Sequence, residues 1–286
     1  MNENFVTYLK SEEKSEATIR VYVRNVGYFL DYVGKNDVDV TTMDVISWKE
    51  SLISKGNSSA TVHQYLASIK TYYDFLETIG LVEKNPVAKI KPVKVKNKEK
   101  HYMNQSMVQA MLDKTANDRD YAIVLTFVTT GIRVGELINI TLSQYEEMKN
   151  NGVNYIKTIG KGNKEHKVFF NAHMIEAIDK YIRTFRNTRR VISTDKLFVS
   201  HWGGQIFSNR LSETLKTIAR NAGIPFWEDI CNHALRSACA SILSDNGAAV
   251  ATIRDVLNHA SIVTTNRYIK TAENSVEDAI MAMNFA

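Results

Sequence analysis

The sequence predicts a mostly α-helical protein of two domains with one small antiparallel β-sheet. Apolar residues recur at helical spacing along most of the chain, whereas one stretch alone alternates as paired strands do. Between the N-terminal and C-terminal parts lies a segment rich in lysine that also contains proline. The length of 286 residues, more than a usual single domain, agrees with a division into two.

Two segments of the N-terminal part share a pattern, one beginning at Ser15 and the other at Ser58. Each opens Ser-x-Ala-Thr-(Ile/Val)-x-x-Tyr, with hydroxyl groups placed to cap a helix, and they end at Gly34 and Gly80. Their apolar positions, spaced three and four apart, are Ile19, Tyr22, Val26, Phe29, Leu30, Val33, Val62, Leu66, Ile69, Tyr73, Leu76 and Ile79. With a third helix over TMDVISWKESLISKG, residues 1–88 are predicted to form a helical bundle.

The segment KIKPVKVKNKEK follows the bundle, and we assign residues 89–101 to a basic linker. Proline and like charges favour an extended connector. The lysines are either solvated or laid along the phosphates of a nucleic acid, and the run by itself leaves both interpretations open. The candidate DNA-binding residues are Lys89, Lys91, Lys94, Lys96, Lys98 and Lys100.

Residues 102–286 are predicted to form the second domain. DRDYAIVLTFVTTG is apolar nearly all round and is expected to be a buried helix. GVNYIKTIGKGNKEHKVFF alternates on both sides of Gly160-Lys161-Gly162-Asn163, which predicts a β-hairpin. The remaining helices are predicted over NQSMVQAMLDKT, AHMIEAIDKYIRTF, SNRLSETLKTIARNAG, HALRSACASILSDNG and ATIRDVLNH.

The composition excludes several classes of protein. No apolar run approaches the ~18 residues that span a bilayer, and the N-terminus lacks the apolar core of a signal peptide, so we expect a cytoplasmic protein without membrane contact. Two cysteines, Cys231 and Cys239, exclude a disulfide scaffold and, with His233, do not match a zinc spacing. We therefore expect no metal and no cofactor. The net charge of +5 permits an anionic partner.

Four short segments of the second domain contain residues that suit chemistry on a phosphate. They contribute Arg133 at a helix start, Lys161 between two glycines, the pair His233 and Arg236, and the pair His259 and Tyr268. Each residue alone has an ordinary surface or structural interpretation. Arg236, however, falls among small apolar residues, and an enclosed guanidinium needs an anion or several acceptors.

Together these residues fit attack by a tyrosine oxygen on a phosphodiester. Arginines can bind the non-bridging oxygens, lysine can protonate the leaving 5′-oxygen, and histidines can take or share protons. A phenol with a pKa of about 10 is only ~0.1% ionised at pH 7, so nearby cations and a base have to assist it.

The segments GIRVGEL, GKGNKEH, HALR and LNHASIVTTNRY occur in the order typical of the tyrosine recombinases, and the chain resembles that family, the phage integrases and Xer proteins, over nearly its whole length. The resemblance implies a two-domain C-shaped clamp on double-stranded DNA, made of an N-terminal helical core-binding (SAM-like) domain and a catalytic domain. It also implies a synaptic tetramer on two sites, each with a specific core sequence.

By motif position, the resemblance assigns a role to each catalytic candidate. Arg133 and Arg236 would bind the scissile phosphate, and Lys161 would be the general acid. His233 would assist proton transfer, His259 would hydrogen-bond the phosphate, and Tyr268 would form the 3′-phosphotyrosyl link. Glu136 would support Arg133.

The sequence departs from the family pattern after Arg236, where many relatives have a histidine and an aromatic residue, and at Leu257-Asn258-His259, where Leu-Gly-His is usual. The expected absence of an arm-binding module argues against the larger integrases that read distant arm sites. The departure after Arg236 favours a mobile-element resolvase or integrase. The alternatives are a housekeeping Xer-type resolvase of chromosome dimers, a catalytically silent DNA-binding regulator, and a monomeric topoisomerase. The tail SVEDAIMAMNFA would dock either on a neighbouring subunit or on its own domain.

Overall fold

The computed structural model describes residues 3–91, 101–160, 165–188 and 194–258. They form two compact units, with the division between Glu99 and Lys100. The helices in the described ranges are α1 (Glu3–Ser11), α2 (Glu16–Val33), α3 (Thr42–Ser54), α4 (Ser59–Thr78), α5 (Gln105–Asp113), α6 (Asp118–Thr130), α7 (Val134–Leu137), α8 (Leu142–Asn150), α9 (Ala172–Tyr181), α10 (Ser208–Asn221), α11 (Asn232–Asp245) and α12 (Val250–Val256). The strands are β1 (Tyr155–Ile159) and β2 (Glu165–Phe169). A π-helical turn, Ile182–Arg186, extends α9. The predicted fold class, mostly helical with one small antiparallel sheet, is confirmed.

The first unit is a bundle of α1 to α4, in which α2 and α4 start in the same way. The Ser15 hydroxyl accepts the Thr18 backbone N–H, and the Ser58 hydroxyl accepts that of Thr61. These are N-cap hydrogen bonds, which satisfy donors that the helix itself leaves unpaired. The shared sequence pattern therefore marks two capped helix starts, as predicted.

Two features of this unit differ from the prediction. Helix α1 was not expected, yet its Phe5 and Leu9 are fully buried, and Phe5 packs edge-on against Tyr72 with ring centroids 4.9 Å apart. Only these two apolar residues of the short helix are buried, which is too few for a clear periodic signal. Ile79 lies past the end of α4 and is 46% exposed, so it does not extend the buried face.

The second unit is built around α6, which packs against α9 and α11. Its buried side chains occupy all sides of the helix, as its apolar sequence predicted. Helix α8 was not predicted separately. None of the helices in the described part of the chain is long and apolar enough to cross a membrane.

The two strands form the predicted hairpin, whose register places Thr158 opposite His166 and Ile156 opposite Val168. Ile156, Thr158 and Val168 are buried, whereas Ile159 and Phe169 are exposed. Because side chains alternate across a strand, His166 lies on the same inner face as Thr158. One face of the hairpin thus packs against the core of the second unit, and the other face is exposed to solvent.

Packing on the first unit continues into the segment that the sequence assigns to the linker. Just before that segment, the Asn85 side chain accepts a hydrogen bond from the Val87 backbone N–H at 2.7 Å. Within the segment, Ile90 packs against the helical core. Lys89 and Lys91 are exposed. The other four candidate lysines, Lys94, Lys96, Lys98 and Lys100, lie outside the described residues.

Candidate active site

Arg133 lies at the junction between α6 and α7, where it donates two hydrogen bonds to the Glu136 carboxylate. Its backbone N–H donates to Glu136 Oε2 at 3.0 Å, and its guanidinium Nη1 donates to Glu136 Oε1 at 2.8 Å. Glu136 is buried, at 5% exposure, so the pair is only weakly screened. Glu136 thus fixes both the backbone and the side chain of Arg133, in agreement with its expected supporting role.

Arg236 is enclosed in α11, with 4% of its surface exposed. Its Nη1 donates to the Gly131 carbonyl at 2.5 Å, and its Nη2 donates to the Leu257 carbonyl. The predicted enclosure is confirmed, and backbone carbonyls serve as acceptors for the charged group. Such acceptors offset part of the desolvation cost of a buried guanidinium.

The two arginines converge on consecutive residues at the end of α12. Arg133 Nη2 donates to the Asn258 carbonyl at 2.8 Å, next to the Leu257 carbonyl that Arg236 contacts. The following residue is His259. A guanidinium has five N–H donors, so the contacts with Glu136 and with the Asn258 carbonyl leave donors of Arg133 for a further acceptor.

Asn258 adopts a backbone conformation that favours glycine, with φ of +46°. Asparagine is one of the few other residues that tolerate this left-handed region, because its short side chain bonds locally. The residue that departs from the usual Leu-Gly-His pattern is therefore compatible with the turn required at its position.

Two glycines let backbone approach the arginine pair. Gly131 has φ of +60°, and a Cβ there would overlap Leu257 Cδ2 and lie 3.3 Å from Cys239 Sγ. A Cβ on Gly160, at the end of β1, would lie 3.1 Å from Glu136 Oε1 and 3.3 Å from Asn258 Nδ2. Gly160, the residue after β1, is thus packed directly against the Arg133 ion pair.

Cys239 is a structural residue of this region. Burial raises the pKa of its thiol to about 12, and the nearby Arg236 opposes this only in part. A thiol with so high a pKa stays protonated and unreactive at neutral pH.

His233 lies in the first turn of α11, and its side chain is exposed, one turn before the buried Arg236. The neighbouring Asn232 anchors that turn, because its Nδ2 donates to the Ser208 carbonyl at 2.9 Å and to Ser212 Oγ at 2.8 Å.

Lys161, His259 and Tyr268 lie outside the described residues, and their roles stay predictions. Their described neighbours are informative, because Gly160 precedes Lys161 and Asn258 precedes His259. Both neighbours lie beside Arg133. The chain therefore enters both segments next to the arginine pair.

His166 is a residue of this site that the sequence analysis missed. Its Nε2 lies 3.6 Å from Glu136 Oε2, and its ring nitrogens lie 3.3 Å from Thr158 Oγ1. Burial lowers the pKa of the imidazole; Arg133 and Arg236 lower it further, whereas Glu136 opposes the shift. The strand alternation in the hairpin places His166 on the inner face, and that signal could have identified it.

The described site therefore combines two guanidinium groups, one buried carboxylate and one imidazole whose neutral form is favoured. With the imidazole neutral, these groups carry one net positive charge. Arginines in a partly enclosed site bind a phosphate or carboxylate through paired hydrogen bonds. The arrangement suits one bound anion.

A helical bundle followed by a helical domain with paired arginines is the organisation of the tyrosine recombinases. The chain belongs to the phage integrase family. The protein-family model described as "Phage integrase family" matches residues 100–275, and the family model described as "Phage integrase, N-terminal SAM-like domain" matches residues 3–80. The family inferred from the sequence motifs is confirmed.

Individual proteins resemble the chain over most of its length. Tyrosine recombinase XerD of Listeria monocytogenes is 27% identical, with 96% of this chain and 95% of the relative covered. Tyrosine recombinase XerC of Anoxybacillus flavithermus is 28% identical, with 92% and 90% covered. A lambda integrase tetramer bound to a Holliday junction shares the fold, with a TM-score of 0.74 at 16% identity over 94% of this chain and 76% of that one.

Proposed function

We propose that this protein is a site-specific recombinase that cuts and rejoins double-stranded DNA through a 3′-phosphotyrosyl intermediate at Tyr268. The observation that carries the proposal is the convergence of Arg133 and Arg236 on the Leu257 and Asn258 carbonyls. The two arginines to which we assign phosphate binding thus lie beside the start of the segment that leads to Tyr268. Membership of the phage integrase family supports the same reaction.

In this reaction the phenolic oxygen of Tyr268 attacks the scissile phosphorus, and the bond from phosphorus to the 5′-oxygen breaks. Lys161 gives a proton to the leaving 5′-oxygen, and the histidines of the site, His233 and His259, accept or share the phenol's proton. Arg133 and Arg236 stabilise the charge that builds on the non-bridging oxygens. Since a phosphodiester replaces a phosphodiester, a 5′-hydroxyl from another strand can reverse the step and complete the exchange.

The remaining parts of the proposal concern DNA binding and assembly. The first unit and the six lysines of residues 89–100 would bind DNA phosphates, and four protomers would act on two sites. The similarity to a lambda integrase tetramer on a Holliday junction supports this assembly.

For the biological role, we propose a mobile-element resolvase or integrase, with a housekeeping Xer-type resolvase as the alternative. The departure after Arg236 supports the first role. The two relatives named XerD and XerC are almost equally similar to this chain, which favours neither of them as its direct counterpart.

The first test is covalent trapping on supercoiled plasmid that carries the DNA flanking this gene. Purified protein is incubated with the plasmid in EDTA and quenched with detergent, so that a protein–DNA adduct remains attached. We expect an adduct from the wild type and from Tyr121→Phe, and none from Tyr268→Phe. An adduct from Tyr268→Phe would contradict the assignment of the nucleophile, and one that requires added metal would contradict the mechanism.

The alternatives differ in two further results. A catalytically silent regulator would shift the plasmid on a gel and form no adduct even with two sites present. Deletion of the residues after Ala272 would abolish strand exchange in a tetrameric recombinase, whereas a monomeric topoisomerase would keep its relaxation activity.

A further inference from the structure

His166 packs beside the carboxylate that holds Arg133, at a distance that its charge state can change. Nε2 is 3.6 Å from Glu136 Oε2, slightly too far for a hydrogen bond, and the histidine side chain is 14% exposed. A carboxylate oxygen can accept two hydrogen bonds, and Oε2 receives the backbone N–H of Arg133. A protonated imidazole could therefore bind Glu136 without displacing Arg133.

Several charged groups of neighbouring elements act on this histidine. They are Glu136 of α7, Arg133 immediately before α7, and Arg236 of α11. The adjacent Glu165 and Lys167 lie on the outer face of the hairpin, where Glu165 approaches Lys157 at 3.9 Å. The positive charges of the two arginines outnumber the single negative charge of Glu136. Without a bound anion, they therefore disfavour the protonated form of His166.

An anion bound by the arginines would reverse that balance. A phosphodiester contributes one negative charge close to both guanidinium groups, which offsets the repulsion that the imidazolium meets. The imidazole would then take up a proton, and the resulting imidazolium would form an ion pair with Glu136 Oε2. Anion binding and proton binding at this site favour each other, and the linkage is reciprocal.

We propose that His166 is a positioning residue of the phosphate site: when Arg133 and Arg236 bind a DNA phosphate, His166 takes up a proton and pairs with Glu136, which fixes in place the carboxylate that orients Arg133. This inference rests on the proposed function, because it takes a DNA phosphate as the anion. It adds a residue whose protonation couples DNA binding to pH.

The test measures proton uptake on DNA binding by titration calorimetry in two buffers of different ionisation enthalpy. A Tyr268→Phe background prevents cleavage, and DNA cloned from the trapping experiment is the ligand. At pH 7 we expect the protein to take up more protons than the same protein with His166→Gln. His173→Gln, which alters a histidine bonded to Tyr121 outside the site, should leave the uptake unchanged.

The pH dependence of DNA affinity gives a second readout. From pH 6 to pH 8 we expect the affinity of the protein with His166 to fall a few-fold more than that of His166→Gln, because binding raises the pKa of the imidazole and the proton is then lost across this range. His166→Arg keeps a permanent charge and should restore tight binding at pH 8, which a merely structural role would not explain. Equal proton uptake and equal pH slopes for the protein with His166 and for the His166→Gln variant would overturn the inference.

A third measurement separates this inference from the proposed function. The imidazole of His166 is titrated by NMR with and without inorganic sulfate, and no DNA is present. We expect sulfate to raise its pKa, and Glu136→Gln to weaken the rise. If sulfate has no effect, the coupling is wrong; if sulfate acts but no DNA is bound, the proposed function is wrong.

Discussion

Glu136 organises the candidate active site at the scale of single residues. One of its oxygens binds the Arg133 guanidinium, the other binds the Arg133 backbone, and His166 lies beside the second. Its position was predictable from the family motif, in which it comes three positions after Arg133. The contact between Glu136 and His166 was not predictable from the sequence, because it depends on how the hairpin packs against α7.

The turn at Asn258 yields the first prediction. Asn258→Gly should keep stability and DNA cleavage close to wild type, because glycine accepts φ of +46° without strain. Asn258→Val should lose about 1–2 kcal/mol of unfolding free energy in urea denaturation. It should also reduce cleavage, because the Asn258 carbonyl accepts from Arg133. Equal stability of the two variants would show that the turn does not need the left-handed region.

At the scale of elements, the junctions between helices position the arginines. Gly131 directly follows α6; its carbonyl accepts a hydrogen bond from Arg236, and its α-carbon faces Leu257, the residue directly after α12. Three elements, α6, α11 and α12, thus meet at one glycine. Helix bounds were predictable from capping residues and apolar spacing, but this meeting point was not.

Gly131→Ala tests that junction. The added methyl would overlap Leu257, which is fully buried and has little room to move. We expect a loss of about 2–4 kcal/mol from overpacking and the positive φ together. Gly152→Ala is the matched control, because its φ is +65° and a Cβ there would meet nothing within 4 Å. Native-state hydrogen exchange of α6 and α11 amides should show the larger loss for Gly131→Ala; equal losses would exclude the steric contribution.

A buried polar pair joins two helices of the first unit. Asn25 of α2 donates to the Ser68 hydroxyl of α4 at 3.0 Å, and both residues are almost fully buried. Ser68→Ala should cost about 1–3 kcal/mol, since the buried amide loses its acceptor. Adding Asn25→Leu should recover part of the loss, because both polar partners are then absent. Hydrogen exchange of α2 and α4 measures both effects, and simple additivity of the two substitutions would contradict the coupling.

At the scale of the whole molecule, charge is concentrated rather than uniform. The net charge is +5, and six lysines fall within residues 89–100 against one glutamate. Such a segment suits phosphate contacts whose contribution falls with added salt, because counterions are released on binding.

Replacement of these six lysines by glutamine should weaken DNA binding and reduce its dependence on salt. Each lost phosphate contact lowers the slope of log affinity against log salt by about 0.9. Lys149→Gln with Lys180→Gln is the control, because these lysines are paired with Asp179 and Asp118. Affinity measured by fluorescence anisotropy from low to moderate salt should show a smaller slope for the linker variant only. An unchanged slope would mean that the lysines are simply solvated.

The sequence by itself determined the helix starts at Ser15 and Ser58, the hairpin around Gly160, and the order of the motifs that identify the family. Each of these depends on residues close together in the chain, through capping, alternation or spacing. The tertiary structure decided what the side chains contact. Arg133 and Arg236 meet the chain at Asn258 and Leu257, and His166 meets Glu136. Such contacts join residues far apart in sequence, so they follow from the packing of whole helices and not from any local pattern.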